Sequence, residues 1–142
     1  MKKIKKSKSL KQLDKSLWTV FSEFIRLRDR VSSSHFVCIA CGEPKPLNQM
    51  QAGHYFERTN KAIKYNEKNV NGECISCNYY HREDSKAGYK EGLIKKYGPG
   101  IIEELEIKKS RSNNWSHFEY EILIKEYKEK VKKMRLYYAA PN

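Results

Sequence analysis

The chain has 142 residues, with 29 Lys and Arg against 17 Asp and Glu, for a formal net charge of +12. That length suits one domain with helices outside a small core. The charge suits a polyanion, most simply nucleic acid; the other readings are a basic surface kept for solubility or an anionic membrane surface. No apolar run approaches a membrane span, and the start is lysine-rich with no signal peptide, so insertion is excluded and the cytoplasm is the expected location.

Residues 1–15 read as a basic flexible arm, because like charges repel along Met1 to Gln12. The arm serves either as a non-specific phosphate contact or as a frayed terminus. A helix is expected over 16–31. Leu17, Trp18, Phe21, Phe24, Ile25 and Arg28 recur at steps of three and four, and Ser16 or Asp14 can cap the start. Its Trp and Phe stripe reads as core, not as a base-stacking surface. The helix should stop near Ser32-Ser33-Ser34, and His35 reads as a bystander.

Gly42 to Asn48 is turn material, and Gln49 to Glu57 reads as a strand or hairpin arm carrying His54. Arg58 to Lys68 reads as a loop, Asn69-Val70-Asn71-Gly72 as a turn, and Cys74 to Asn78 as the start of a short helix. Ala87 to Tyr97 is helical, ended by Gly98-Pro99-Gly100, and Ile101, Ile102 and Leu105 define a further short helix. Ser116 and Glu119 fit a capping box that opens the longest helix, running to about Tyr137. Its stripe of Tyr120, Leu123, Tyr127, Val131 and Met134 must pack on Trp18 and Phe21 or on a second subunit. The segment 35–82 is thus a small core, and 87–138 a helical C-terminal part.

All four cysteines lie in that core, as Cys38-Ile-Ala-Cys41 and Cys74-Ile-Ser-Cys77. Two such pairs can bring four thiolates around one Zn2+. Two disulfides would need an oxidising compartment, which the absent signal peptide argues against. Free core cysteines would not explain the paired spacing. A redox Cys-x-x-Cys would need a thioredoxin-like βαβ context that neither pair has. A zinc with four sulfurs has no open position for substrate, so it would be structural.

Between and after the pairs stand Gly53-His54, Asn69 and Asn78, the last directly following the fourth cysteine. This order resembles the zinc-bearing form of the HNH, or ββα-metal, nucleases, and phage endonuclease VII shares the Cys-Cys, His, Cys-Cys-Asn order. Phosphodiester hydrolysis needs an activated water, a cation on the phosphate and leaving oxygen, and stabilisation of new charge. The resemblance implies that His54 is the general base and that Asn78 coordinates catalytic Mg2+ or Mn2+. It implies that Asn69 holds the hairpin loop and orients the base, and that Arg58 contacts phosphate. His81 would be a second ligand or a phosphate contact. The plainer readings are a structural histidine at His54 and a helix cap at Asn78. Many HNH sites have Asp or His directly before the base. Here that residue is Gly53, so Asn78 holds the cation with few protein partners, or with His81 or Glu57.

From Leu17 onward the chain resembles the phage NinG family, the Rap recombination nucleases. The matching pieces are Phe24-Ile-Arg-Leu-Arg-Asp-Arg30, Cys38-Ile-Ala-Cys-Gly42, Ala52-Gly-His-Tyr55, Tyr65-Asn-Glu-Lys-Asn69, Cys74-x-x-Cys-Asn78 and Tyr89-Lys-x-x-Leu-Ile94, with a Trp115 segment and a basic final helix. Gly53 is usual in that family. The implied fold is α+β, mostly α, a zinc-stapled ββα-metal core flanked by N-terminal and long C-terminal helices. The implied protein is a homodimeric nuclease selective for branched DNA such as Holliday junctions and D-loops, working beside phage recombination proteins. The alternatives are a non-catalytic zinc-dependent nucleic-acid-binding module and an HNH nuclease acting on linear duplex.

Overall fold

The computed structural model describes residues 2–111 and 114–139. The first helix, α1 (Leu10–Arg28), begins earlier than expected, so the free basic stretch is shorter than residues 1–15. The reason is a Ser-x-x-Gln capping box: Gln12 N–H donates to Ser9 Oγ at 3.2 Å, and Ser9 N–H donates to Gln12 Oε1 at 2.9 Å. Neither Ser16 nor Asp14 caps it. Leu13, Leu17, Val20, Phe21, Phe24, Ile25 and Leu27 are its buried residues. The last helix, α4 (His117–Ala139), buries Tyr120, Tyr127 and Val131 against α1. Its start has the expected box, with Glu119 N–H on Ser116 Oγ at 3.2 Å and Ser116 N–H on Glu119 Oε2 at 2.9 Å. Phe21 meets Tyr127 edge-on at 4.9 Å, and Phe24 meets it at 5.3 Å. Such pairs add about 0.5–1.5 kcal/mol each beyond area burial. The long helix therefore has its partner within the chain.

Between these helices lie two antiparallel pairs. Strands β1 (His35–Val37) and β2 (Pro44–Pro46) flank the first cysteine pair. Strands β3 (Met50–His54) and β4 (Val70–Cys74) form a hairpin in which Gln51 faces Glu73 and His54 faces Val70. One π-type turn, Ser76–Tyr80, then leads to α2 (Arg82–Tyr97) and α3 (Ile101–Lys109). Helix α2 begins before the expected Ala87, and it ends at Gly98 as expected. Gly88 and Gly92, one turn apart, let it run against the first cysteine pair: a Cβ there would stand 2.2 Å from the Ala40 carbonyl oxygen or 2.0 Å from that of Ile39. The whole is α+β, mostly α.

Of the Asn69 to Gly72 stretch only Asn69 lies in a turn; Val70, Asn71 and Gly72 are strand. Asn69 and Asn71 are fully buried, and residues 70–72 pair with β3. Asn and Gly favour turns because their backbones are permissive and Asn can bond locally. Here the Asn71 amide is occupied elsewhere. Its Oδ1 accepts from Arg28 at 3.2 Å, Lys96 at 2.8 Å and Tyr97 at 3.2 Å, and its Nδ2 donates to the Lys68 carbonyl at 3.0 Å. Asp29, just past α1, accepts from Arg28 at 2.7 and 2.9 Å, from Lys96 at 3.1 Å and from Gly72 N–H at 2.7 Å. Arg28 also donates to the Glu67 and Val70 carbonyls. One polar cluster thus ties α1, β4 and α2 together.

Burial would raise the Asp29 pKa, but the Arg28 and Lys96 charges and the Gly72 amide outweigh it and hold the carboxyl below its ordinary 3.8. Its stabilisation is present above that range and is lost as pH falls through it. Removing one partner of a buried pair leaves the others uncompensated, so Asp29→Ala should cost about 3–5 kcal/mol. Urea unfolding of the zinc-loaded protein measures this; a loss comparable to a surface substitution would contradict it.

Candidate functional site

The four cysteine sulfurs lie within 4.8 Å of one another and none forms a disulfide. They are positioned to bind one metal ion. Cys38, Cys74 and Cys77 are buried, and Cys74 N–H donates to Cys38 Sγ at 3.3 Å. Burial pushes the Cys38 thiol up and the Cys77 thiol up to about 11, whereas at Cys74 burial is outweighed by hydrogen bonds from the other cysteines and the thiol is lowered, so a bare pocket disfavours thiolates at Cys38 and Cys77. A bound cation reverses that preference, and an S4 set is the donor set of structural Zn2+.

His54 stands at the end of β3 and is 8% exposed. Its Nε2 lies 2.9 Å from the Lys64 carbonyl oxygen. A carbonyl only accepts, so Nε2 carries the proton and Nδ1 keeps its lone pair. Among the described residues Nδ1 forms no hydrogen bond, and it is not sealed from solvent. Trp18 stacks on the ring at 4.9 Å. Trp18 is half-buried, so this member of the α1 stripe is a wall of the site as well as core. Burial pushes the His54 pKa down to about 4, against the Lys64 carbonyl bond and with the nearby charges of Lys64, Arg58 and Arg82. The ring is neutral at pH 7.

The Lys64 carbonyl is itself held. Lys64 Nζ and Tyr65 Oη each donate to Asp14 at 2.7 Å, and Tyr120 Oη donates at 3.0 Å. Trp115 Nε1 donates to the Lys61 carbonyl at 3.0 Å. Asn69 spans the loop: it accepts from Phe56 N–H at 2.9 Å and donates to the Phe56 carbonyl at 3.0 Å. These bonds fix the loop from Tyr55 to Lys68 that carries the histidine's partner.

Asn78 lies in the π-type turn, and its Nδ2 donates to Gln51 Oε1 at 2.7 Å. That bond turns Oδ1 toward Gly53, where a Cβ would stand 3.0 Å from it. The same Cβ would stand 2.2 Å from Glu73 Oε1. The bare Cα of Gly53 therefore leaves a cradle for two oxygens, and this donor chemistry fits a hard divalent cation. Glu73 is 4% exposed. Burial pushes its pKa up to about 7 against the pull of Arg82.

A cleft of about 590 Å3 runs along β3, lined by Trp18, Ser22, Arg26, Gln51, His54, Arg58, Asn78, Tyr79 and Arg82. A second cavity of about 50 Å3, lined by His54, Glu57, Glu73, Arg82, Glu83 and Lys86 among others, adjoins it through His54 and Arg82. Arg58 and Asn78 thus share the cleft with His54, while Glu57 sits in the smaller cavity. His81 is exposed and lines neither. The expected one-turn step from Asn78 assumes an α-helix. The turn is π-type, closed by His81 N–H on the Ser76 carbonyl at 2.7 Å, so a three-residue step does not return to the same face.

The family described as bacteriophage lambda NinG protein matches residues 1–136. The chain belongs to the NinG family. No curated protein and no solved structure matches it. Among the described residues of this NinG chain, no helix is long and apolar enough to cross a membrane. Trp18, Gln51, Lys64, Glu73 and Arg82 belong to the site and carry no motif of their own. For Glu73 a signal existed: Asn69, Asn71 and Glu73 alternate with Val70, Gly72 and Cys74, which is a strand period.

Two shifts oppose each other in the zinc-loaded, magnesium-free protein. His54 titrates near 4 when folded and near 6.5 when unfolded, so it lowers stability as pH falls through that window. Glu73 titrates near 7 when folded and near 4.5 when unfolded, so it lowers stability as pH rises through that one. Relative to wild type, Glu73→Gln should gain stability with rising pH across the overlap, and His54→Gln should gain with falling pH. Melting temperatures across the overlap test this; parallel shifts of the two variants would contradict it.

Proposed function

We propose that this NinG chain is a metal-dependent endonuclease that cuts branched DNA in phage recombination, acting as a homodimer in the host cytoplasm. The observation that carries this reading is a neutral histidine with a fixed tautomer and an unpartnered Nδ1, in a cleft with three arginines and an oriented amide oxygen. A base, cation donors and anion contacts in one cleft are what phosphodiester hydrolysis needs, and a pure binding module has no use for the first. Structural zinc at the four cysteines would hold the hairpin and take no part in the chemistry.

In this reading Arg58, Arg82 and Arg26 hold phosphate oxygens of the scissile strand. His54 Nδ1 accepts a proton from the attacking water, and the Lys64 carbonyl keeps the resulting imidazolium oriented. Asn78 Oδ1 would hold Mg2+ or Mn2+, which when bound supplies charge stabilisation at the phosphate and leaving oxygen. Substrate choice comes from the basic surface and the spacing of two sites, since a four-way junction needs two symmetric nicks.

Purified zinc-loaded protein should nick a labelled four-way junction in Mg2+. His54→Ala should bind the junction and keep its zinc but lose about 10²–10⁴-fold in rate. Binding should weaken steeply with salt and show little sequence preference. Tight binding with no cutting in Mg2+ or Mn2+ would give the chain to the binding-module class. Equal cutting of linear duplex at a defined sequence would remove the branched-DNA assignment.

A further inference from the structure

We propose that Glu73 is the carboxylate ligand of the catalytic divalent cation, sharing it with Asn78 across the gap left by Gly53. This rests on the nuclease reading, which requires a cation in this cleft, and it supplies the carboxylate missing before His54.

The Glu73 side chain is nearly buried and its carboxylate has no protein partner. Glu73 is 4% exposed, no hydrogen bond or ion pair to it occurs among the described residues, and its oxygens are not sealed off from solvent. Ionised carboxylates are almost never buried without a partner, because desolvation costs several kcal/mol. Arg82 lines the same small cavity as Glu73, and among the described residues no ion pair joins the two. The free end of the side chain lines the small cavity beside His54. At about 50 Å3 that cavity has room for a hydrated ion's first waters and not for a nucleotide.

The placement follows from register. Glu73 pairs with Gln51 across the hairpin, so its side chain shares a face with those of Gln51 and the position of Gly53. Gln51 in turn orients Asn78 through the 2.7 Å bond to its Nδ2. Three strand positions and one turn residue thus bring Glu73 Oε1 and Asn78 Oδ1 to the same glycine. Any side chain at residue 53 would occupy that gap. A glycine before the base is therefore a condition for a ligand arriving from the opposite strand. Mg2+ takes one or two protein oxygens and keeps its remaining waters, and one carboxylate with one amide oxygen meets that demand.

The test is Mn2+ binding to the zinc-loaded full chain without DNA, followed by the loss of the free-ion paramagnetic signal. Wild type should bind saturably, with the amides of Gly53, Glu73 and Asn78 broadening first in the NMR spectrum. Glu73→Gln, nearly isosteric, should weaken binding about 10-fold or more at unchanged zinc content. Gly53→Ala should do the same, because its Cβ displaces the flexible end of Glu73. His81→Ala, at an exposed residue that lines neither the cleft nor the small cavity, should bind Mn2+ as wild type does. Unaltered affinity in Glu73→Gln, broadening centred elsewhere, or no saturable site in wild type overturns the assignment. Junction nicking run in parallel separates the two failures. A wild type that cuts while Glu73→Gln keeps its Mn2+ affinity sinks this inference alone. A wild type that binds Mn2+ through Glu73 yet never cuts sinks the nuclease reading and leaves the cation site standing.

Discussion

A hairpin of two five-residue strands cannot hold functional groups in register by itself. The rest of the structure answers that constraint. On one side Asp29 and Arg28 grip β4 through the Gly72 amide and the Val70 carbonyl. At the far end β4 runs directly into the second cysteine pair, where four sulfurs converge. On the third side Asp14 and Asn69 fix the connecting loop, so that the Lys64 carbonyl can hold His54. Each support uses polar or ligand chemistry, because a core this small has little apolar area to offer.

The electrostatics divide along the same lines. Charge that stabilises the fold is paired and buried, as at Asp29. Charge that lines the cleft is basic, whereas the small inner cavity beside it has Glu57, Glu73 and Glu83 along with Arg82 and Lys86. A neutral histidine lies at the boundary between them. In the proposed reading, that arrangement would draw a polyanion to the outer cleft and a small cation to the inner cavity.

Much of this was legible in the sequence where chemistry is local. Cysteine spacing, the Ser116 box and the helical stripes need only near neighbours, and each led to the right element. Val70 to Gly72 misled because Asn71 and Gly72 are turn-favouring types, while the strand there depends on Arg28, Lys96 and Tyr97 reaching Asn71 from elsewhere in the chain. The strand alternation around Glu73 was readable, but its place in the site depends on cross-strand register with Gln51, which no local pattern gives. His81 was misplaced because one extra residue in a turn changes its phase. The Phe24 to Arg30 piece, first only a family likeness, has a physical reason in the Arg28–Asp29 clamp.

In the proposed reaction, His54 takes the proton of the attacking water. Chemical rescue addresses this step directly. His54→Gly, zinc-loaded and junction-bound, should nick negligibly alone and recover in proportion to added imidazole, with a pH profile that follows the imidazole. Failure of imidazole and its methylated analogues to restore any cutting, with wild type active and the variant still folded and bound, would contradict the claim.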